Sequence, residues 1–253
     1  MSLTYTKFMK TKDDFNKIFK DVQSVLVILA HPDDAEVICG GIIARLIQQG
    51  KQIRLVITTN GGKGMKNLNI YKEKDFAKLR IDEQIKGALQ LGIKREQIFN
   101  LNIPDGEFEN TIGNIEKIVF HIREFKPDIV ITHNPEEAIN IFSDNAKWVN
   151  HRDHRHTGLS VIDACYPYSR DRGFFPEQFA ESGLSPHSVN KLLFSDSYQH
   201  KDRKYFEITD QINIKRNALE AHKFGIGEYI DDYIDENKIG DRYFETLRYV
   251  EIY

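Results

Sequence analysis

Cysteine is nearly absent from this chain. Cys39 and Cys165 are the only two among 253 residues, and two isolated thiols make neither a disulfide framework nor a CxxC metal site. Cys39 falls on the apolar side of a predicted helix and is expected in the core. A surplus of one charge is also missing. Lys and Arg number 35 against 38 Asp and Glu, a net charge of −3, so no global polycation points to nucleic acid. Long apolar runs are missing too, since none approaches the roughly 20 residues of a membrane span. Residues 1–20 lack the apolar stretch of a signal peptide. The expectation is a cytoplasmic protein with no membrane span and no nucleic-acid partner. No internal repeat and no linker divides the chain. The glycine-rich stretch 59–64, TNGGKG, has neither the GxGxxG nor the GxxxxGK[ST] spacing of a phosphate loop.

What is present is one conspicuous stretch, residues 25–36, VLVILAHPDDAE. Residues 25–30 form an apolar run rich in β-branched side chains, the pattern of a strand buried on both faces. It stops at His31-Pro32-Asp33-Asp34. Uncompensated buried charge is expensive, so these side chains need a reason to be there. Pro32 ends the strand and favours a turn. Residues 35–49 then carry Ile38, Ile42, Ala44, Leu46 and Ile47 in a helical pattern. The polar cluster therefore sits on a strand-to-helix turn at a strand's carboxyl end, the edge where open α/β sheets bind ligands. Imidazole and carboxylate three residues apart across that turn can converge on one divalent ion such as zinc. The other aspartate is then free to act as a base toward water. A helix cap alone would need one such residue and explains neither the histidine nor the second aspartate.

The rest of the chain alternates strand and helix. Further strands are expected at 53–58, 98–101 and 129–132. Helices are expected at 71–91, closed by Gly92, and around 112–122. A short helix at 12–19 belongs to an N-terminal extension, 1–22. The alternation predicts an α/β fold with a doubly wound, mostly parallel sheet and right-handed crossovers, in a single domain over 1–253. The glycine-rich loop, continued through 65–69, and the turn Asn102-Ile103-Pro104-Asp105-Gly106 fall on the same expected edge. Residues 133–150 read as irregular and 157–165 as a helix. Residues 166–188 read as a long loop of the kind that forms functional rims. Strands follow at 191–195 and 205–208, then a helix at 210–223 capped by Asp210. The C-terminal segment, 224–253, is acidic and aromatic and receives no assignment.

A second polar cluster, His151-Arg152-Asp153-His154-Arg155-His156, follows the irregular stretch. Three histidines and an aspartate in six residues fit poorly with a solvated surface or a capping loop. His154, at a helix start, can complete a His-Asp-His triad with His31 and Asp34. Such a three-ligand site leaves a fourth position open, as in catalytic zinc. His151 can donate to a developing oxyanion, and Asp153 can hold an imidazole in its tautomer.

These residues resemble the LmbE-like, or PIG-L-type, metal-dependent N-acetylglucosaminyl deacetylases. The resemblance rests on residues 30–36, AHPDDAE, with Gly40-Gly41 behind them, and on His151-x-Asp153-His154. Weaker echoes are Arg80 and Glu83, Pro104-Asp105-Gly106, and Asp210, Lys215 and His222. It covers roughly 25–222. It implies a Rossmann-like fold and removal of an acetyl group from the nitrogen of an N-acetylglucosamine unit attached to a larger group. The implied partner is therefore a small-molecule amino-sugar conjugate, with homo-oligomerisation left open. It also implies one divalent metal ion, zinc with ferrous iron (Fe2+) as the alternative, held by His31, Asp34 and His154. Asp33 matches the general base, and His151 the residue that stabilises the tetrahedral intermediate. Asp153 matches a supporting position beside it, and Arg80 and Asp105 match sugar or aglycone contacts. The chain departs from the commonest family form in placing Ala35 before Glu36, and departs further at 134–150 and 166–188, where relatives shape substrate choice.

Three other readings compete. A nucleotide-binding module fits poorly, because Gly40 and Gly41 fall inside the helix and the acidic turn repels a pyrophosphate. A non-catalytic metal- or sugar-binding protein would be favoured by loss of Asp33 or His151, and both are present. A hydrolase of the same scaffold acting on another amide conjugate is the nearer alternative.

Overall fold

The computed structural model describes residues 11–65, 72–143 and 146–252; the loop expected to continue through 66–69 lies outside them. After α1 (Phe15–Phe19) the chain runs β1 (Ser24–Leu29), α2 (Asp34–Gln48), β2 (Gln52–Thr59), α3 (Glu73–Gln90), β3 (Ile98–Ile103), α4 (Ile112–Phe125) and β4 (Ile129–Thr132). The four strands pair in parallel, β3 on β2, β2 on β1 and β1 on β4. The strand order therefore reverses at β1, the switch point at which such sheets bind ligands.

Successive residues of β1 face opposite ways. Val25, Val27 and Leu29 pack with Phe15 and Phe19 of α1 and with Ile42, Ile43 and Leu46 of α2. Leu26 and Ile28 pack with Ile115, Ile118 and Ile122 of α4 on the other face. Both sets are fully buried, which is why the strand reads as an unbroken apolar run rather than an alternation. The N-terminal extension is thus part of the core through α1.

The second half differs more from expectation. Residues 133–150 contain a hairpin, β5 (Ile139–Ser143) paired antiparallel with β6 (Ala146–Val149). Ile139, Ile141, Phe142, Trp148 and Val149 are exposed on it, so no buried face imposes the two-residue alternation that would have marked its strands. Helix α5 (Arg152–Asp163) begins at Arg152 rather than 157, because the polar cluster itself forms its first turn. Residues 166–188 are mostly irregular, with a short α6 (Glu177–Ala180). They do not rim the site's edge. The fully buried Arg123 of α4 donates to the carbonyls of Tyr168, Ser169 and Phe174, and His187 bonds Pro127 at the amino end of β4.

Strand β7 (Lys191–Phe194) pairs parallel with β4, followed by β8 (Arg203–Glu207) and α7 (Ile212–Leu219). Asp210 does not cap α7; it lies in a preceding 3-10 turn and the helix has no side-chain cap. The unassigned C-terminal segment supplies α8 (Ile230–Asp235), a short β9 (Lys238–Ile239) and β10 (Arg242–Glu251). β10 inserts antiparallel between β7 and β8, giving the order β3-β2-β1-β4-β7-β10-β8 with β9 on the flank of β10. No helix among the described residues is long and apolar enough to cross a membrane.

Candidate metal-binding active site

The two aspartates after β1 point apart. Asp33 sits at φ +112°, a left-handed conformation uncommon without glycine, and its N–H donates to Gln84 Oε1 at 2.9 Å. Its carboxylate turns toward α3, where Oδ2 accepts from the Arg80 guanidinium at 2.8 Å. Asp34 turns toward β4. Its Oδ2 accepts from the N–H of Ala30 at 3.1 Å and of His31 at 2.7 Å, and lies 3.2 Å from His133 Nε2. Its Oδ1 faces His154 Nε2 at 3.4 Å.

His31 completes the group. Its Nδ1 lies 3.2 Å from His154 Nε2 and 3.6 Å from Asp34 Oδ2. Four ligands about 2.0–2.1 Å from a tetrahedral ion stand about 3.4 Å from one another, so these separations fit one zinc-sized cation. Each imidazole turns its second nitrogen to carboxylates. His31 Nε2 is 3.3 Å from Asp153 Oδ2 and 3.4 Å from Asp105 Oδ1; His154 Nδ1 is 3.6 Å from Asp196 Oδ2. That arrangement orients a ligating histidine and leaves His31 Nδ1, the Asp34 carboxylate and His154 Nε2 facing one another.

The charges agree with the geometry. Burial opposes ionisation of Asp34, but the His154 charge and hydrogen bonds from His133, His154 and His31 outweigh it and hold the carboxyl well below its usual range. Burial likewise opposes a charged His154, yet Asp34 and Asp196 push its pKa up to about 9. His31 is raised for the same reason by Asp105, Asp153 and Asp34 against its burial. A divalent cation would take over the positive charge and release those protons. His151 is lowered, by burial and then by the neighbouring His31 and His154.

The remaining expected residues are all nearby, in somewhat different positions. His151 caps α5, its Nδ1 accepting from the Asp153 N–H at 3.1 Å, and its ring centroid is 4.5 Å from that of His31. Asp153 sends its carboxylate to His31 rather than to His151, and also accepts from Gly106 N–H at 2.6 Å. Asp105 likewise serves His31 and accepts from Lys63 N–H. Arg80 is buried and its guanidinium is taken up by Asp33, the Pro32 carbonyl and Glu83.

Sequence reasoning missed His133 and Asp196. They are joined by a 2.9 Å contact from His133 Nδ1 to Asp196 Oδ2, and they back onto Asp34 and His154. Their signal was position, since each stands at the carboxyl end of a parallel strand, β4 or β7. Gly158 lets α5 reach that edge. A Cβ there would lie 2.2 Å from the His133 carbonyl oxygen, so only glycine allows the close approach that stacks His154 on His133 at 3.8 Å.

The fold and donor set define a class: Rossmann-like α/β proteins with a candidate metal-binding cluster at the sheet's switch point. This chain belongs to the PIG-L family, described as GlcNAc-PI de-N-acetylase, whose family model matches residues 26–165. It is similar to the diacetylchitobiose deacetylase of Thermococcus kodakarensis, with 29% identity over 255 residues, covering 95% of this chain and 88% of the relative. A probable N-acetyl-alpha-D-glucosaminyl L-malate deacetylase 2 of Bacillus cereus is 29% identical over 143 residues, 55% of this chain and 60% of the relative. The solved N,N'-diacetylchitobiose deacetylase from Pyrococcus horikoshii superposes with a TM-score of 0.78 at 26% identity, covering 98% of this chain and 90% of that one.

Proposed function

We propose that the chain is a zinc-dependent N-deacetylase that hydrolyses the acetamide of an N-acetylglucosamine-type conjugate, releasing acetate and a free amine. The observation that carries this reading is the divergence of Asp33 and Asp34. One joins His31 and His154 in a ligand cluster, while the other is held out of it by Arg80. The names of two relatives, both of which refer to N-acetylglucosamine-containing substrates, support the substrate class.

His31 Nδ1, the Asp34 carboxylate and His154 Nε2 would hold the ion. When bound, a divalent cation supplies Lewis acidity, polarising the amide carbonyl and making the attacking water more acidic. Asp33 accepts the proton of that water, and His151 stabilises the oxyanion that develops on the carbonyl oxygen. The proton taken by Asp33 passes to the departing nitrogen, so that acetate and an amine leave. Asp153 and Asp105 keep His31 oriented, and Asp196 does the same for His154.

The test is acetate release from N-acetylglucosamine and N,N'-diacetylchitobiose, with and without a chelator. Release that stops on chelation and returns with zinc is the expected result. Release indifferent to chelation would overturn the metal dependence, and no release from either sugar would overturn the substrate class.

A further inference from the structure

Asp33 is held by its backbone as well as by its carboxylate. It sits at φ +112°, and a residue other than glycine stays in such a conformation only where its surroundings over-determine it. The surroundings here are one face of α3. Arg80 and Gln84 stand one turn apart on that helix, so their side chains are neighbours. Both grip the peptide that joins Pro32 to Asp33. Arg80 donates to its carbonyl oxygen, and Gln84 Oε1 accepts its N–H at 2.9 Å. The same guanidinium holds the Asp33 carboxylate at 2.8 Å.

Gln84 can do this in only one orientation, and two further residues set it. Its Nε2 donates to Glu36 Oε1 at 3.1 Å and lies 3.4 Å from Oε2. A carboxylate only accepts, so the amide turns its NH2 to Glu36 and its oxygen to Asp33. Glu36 is held in turn by His222, just past the end of α7, whose Nε2 is 3.2 Å from Glu36 Oε2. Both of these side chains are fully buried, and Gln84 is buried beside them. Gly87 of α3 permits the approach, since a Cβ there would lie 2.6 Å from His222 Nε2 and 2.7 Å from Glu36 Oε1. Asp34 takes no part in this arrangement. Its carboxylate is held by the N–H groups of Ala30 and His31 and by His133.

We infer that Gln84, aligned by Glu36 and His222, is a positioning residue for Asp33. It fixes the peptide before Asp33, and through it the direction of the Cα–Cβ bond that carries the base. With the amide lost, that peptide relaxes and the carboxylate turns away from the attacking water, while the ligands of the cation stay in place. The role rests on the function proposed above, in which Asp33 takes the proton of that water.

Gln84→Leu removes the amide. Glu36→Gln combined with Gln84→Glu restores the pair with donor and acceptor exchanged, since the amide now at position 36 donates to the carboxylate at 84. Three quantities are compared with wild type: bound zinc, deacetylation of N,N'-diacetylchitobiose, and hydrogen exchange of the Asp33 amide. In Gln84→Leu, kcat should fall about 10²-fold, the usual effect of a small misplacement of a reacting group, with KM and zinc content near wild type. The Asp33 amide should exchange about tenfold faster, as expected for the loss of one hydrogen bond, while the amides of β1 keep their protection. The exchanged pair should return slow exchange and most of the turnover. Gln84→Asn, whose amide falls short of both partners, supplies the same readings if Gln84→Leu does not fold. Unchanged turnover and exchange in the variant lacking the amide would overturn the inference. So would zinc lost in step with turnover, or an exchanged pair no better than Gln84→Leu. The amide exchange decides whether Gln84 holds Asp33 even if Asp33→Asn keeps full turnover, a result that counts against the proposed base instead.

Discussion

Asp33 and Asp34 carry the same side chain and have different partners, so substituting them should have different consequences. Asp33→Asn keeps the shape of a group that bonds Arg80 and leaves the cluster of His31, Asp34 and His154 intact. Metal content and KM should stay near wild type, while turnover falls about 10²–10⁴-fold, the usual effect of losing a general base. Asp34→Asn should lose metal first and regain part of its activity in excess zinc. Metal analysis and rates for both variants, across added zinc, check this; a metal-depleted Asp33→Asn would reverse the roles. A second residue-scale expectation concerns pH. His121 of α4 is buried, and burial, then the Arg54 charge, push its pKa from 6.5 to about 4. Between those values the unfolded chain binds a proton that the folded chain refuses. Stability is therefore lost as pH falls, by up to about 3 kcal/mol at pH 4. Denaturant unfolding of His121→Phe should show a shallower loss over that window. His31, Asp33, Asp34 and His154 were legible because imidazole and carboxylate ending an apolar strand, or crowding a helix start, have no cheap structural explanation. His133 and Asp196 were not, because a lone polar residue after a strand is also an ordinary turn. Only the pairing of β4 with β7 brings these two together.

At the scale of elements, the first four strands and the helices between them were readable from hydrophobic period. β10 was hidden by its own chemistry. Glu245, fully buried in it, interrupts the apolar pattern because it serves α2. Its carboxylate accepts the N–H groups of Gly41 and Ile42 at 2.9 and 2.7 Å, just past the non-helical Cys39 (φ −143°). It thereby caps the restarted helix from outside. Lys215 of α7, also fully buried, neutralises it at 2.7 Å and reaches the Val37 carbonyl at 2.8 Å. The last strand, α7 and the helix that carries Asp34 are thus tied at one buried point. Lys215→Met should leave a buried carboxylate without its counter-charge and destabilise the fold by about 3–5 kcal/mol, the usual effect of breaking a buried pair. Denaturant midpoints test this; a change below about 1 kcal/mol would mean that the two N–H groups suffice for Glu245.

Across the whole molecule, the residues of the site lie far apart in sequence and meet at the sheet's switch point. His31 follows β1, His133 follows β4, Asp196 follows β7, and His154 arrives on α5. A cation bound there is held only by the folded chain, so binding should raise stability by mass action. At a free concentration one hundred times its dissociation constant the gain is about 2.7 kcal/mol, a rise of roughly 5–11 °C at about 2–4 °C per kcal/mol for a chain of this size. His154→Ala should lose most of that response, whereas Asp33→Asn should keep it. The response should also depend on pH, with a sign fixed by the site's own charges. Acidic neighbours hold the His154 imidazole protonated up to about pH 9 and raise His31 as well. Zinc must displace those protons, so it competes better as they become fewer. The rise in Tm produced by a fixed free zinc concentration should therefore grow from pH 6 to pH 8 in wild type. Thermal unfolding at both pH values, in buffers that fix free zinc, measures this directly. A zinc-induced rise that shrinks over that interval, or persists fully in His154→Ala, would place the ion somewhere other than between His31, Asp34 and His154.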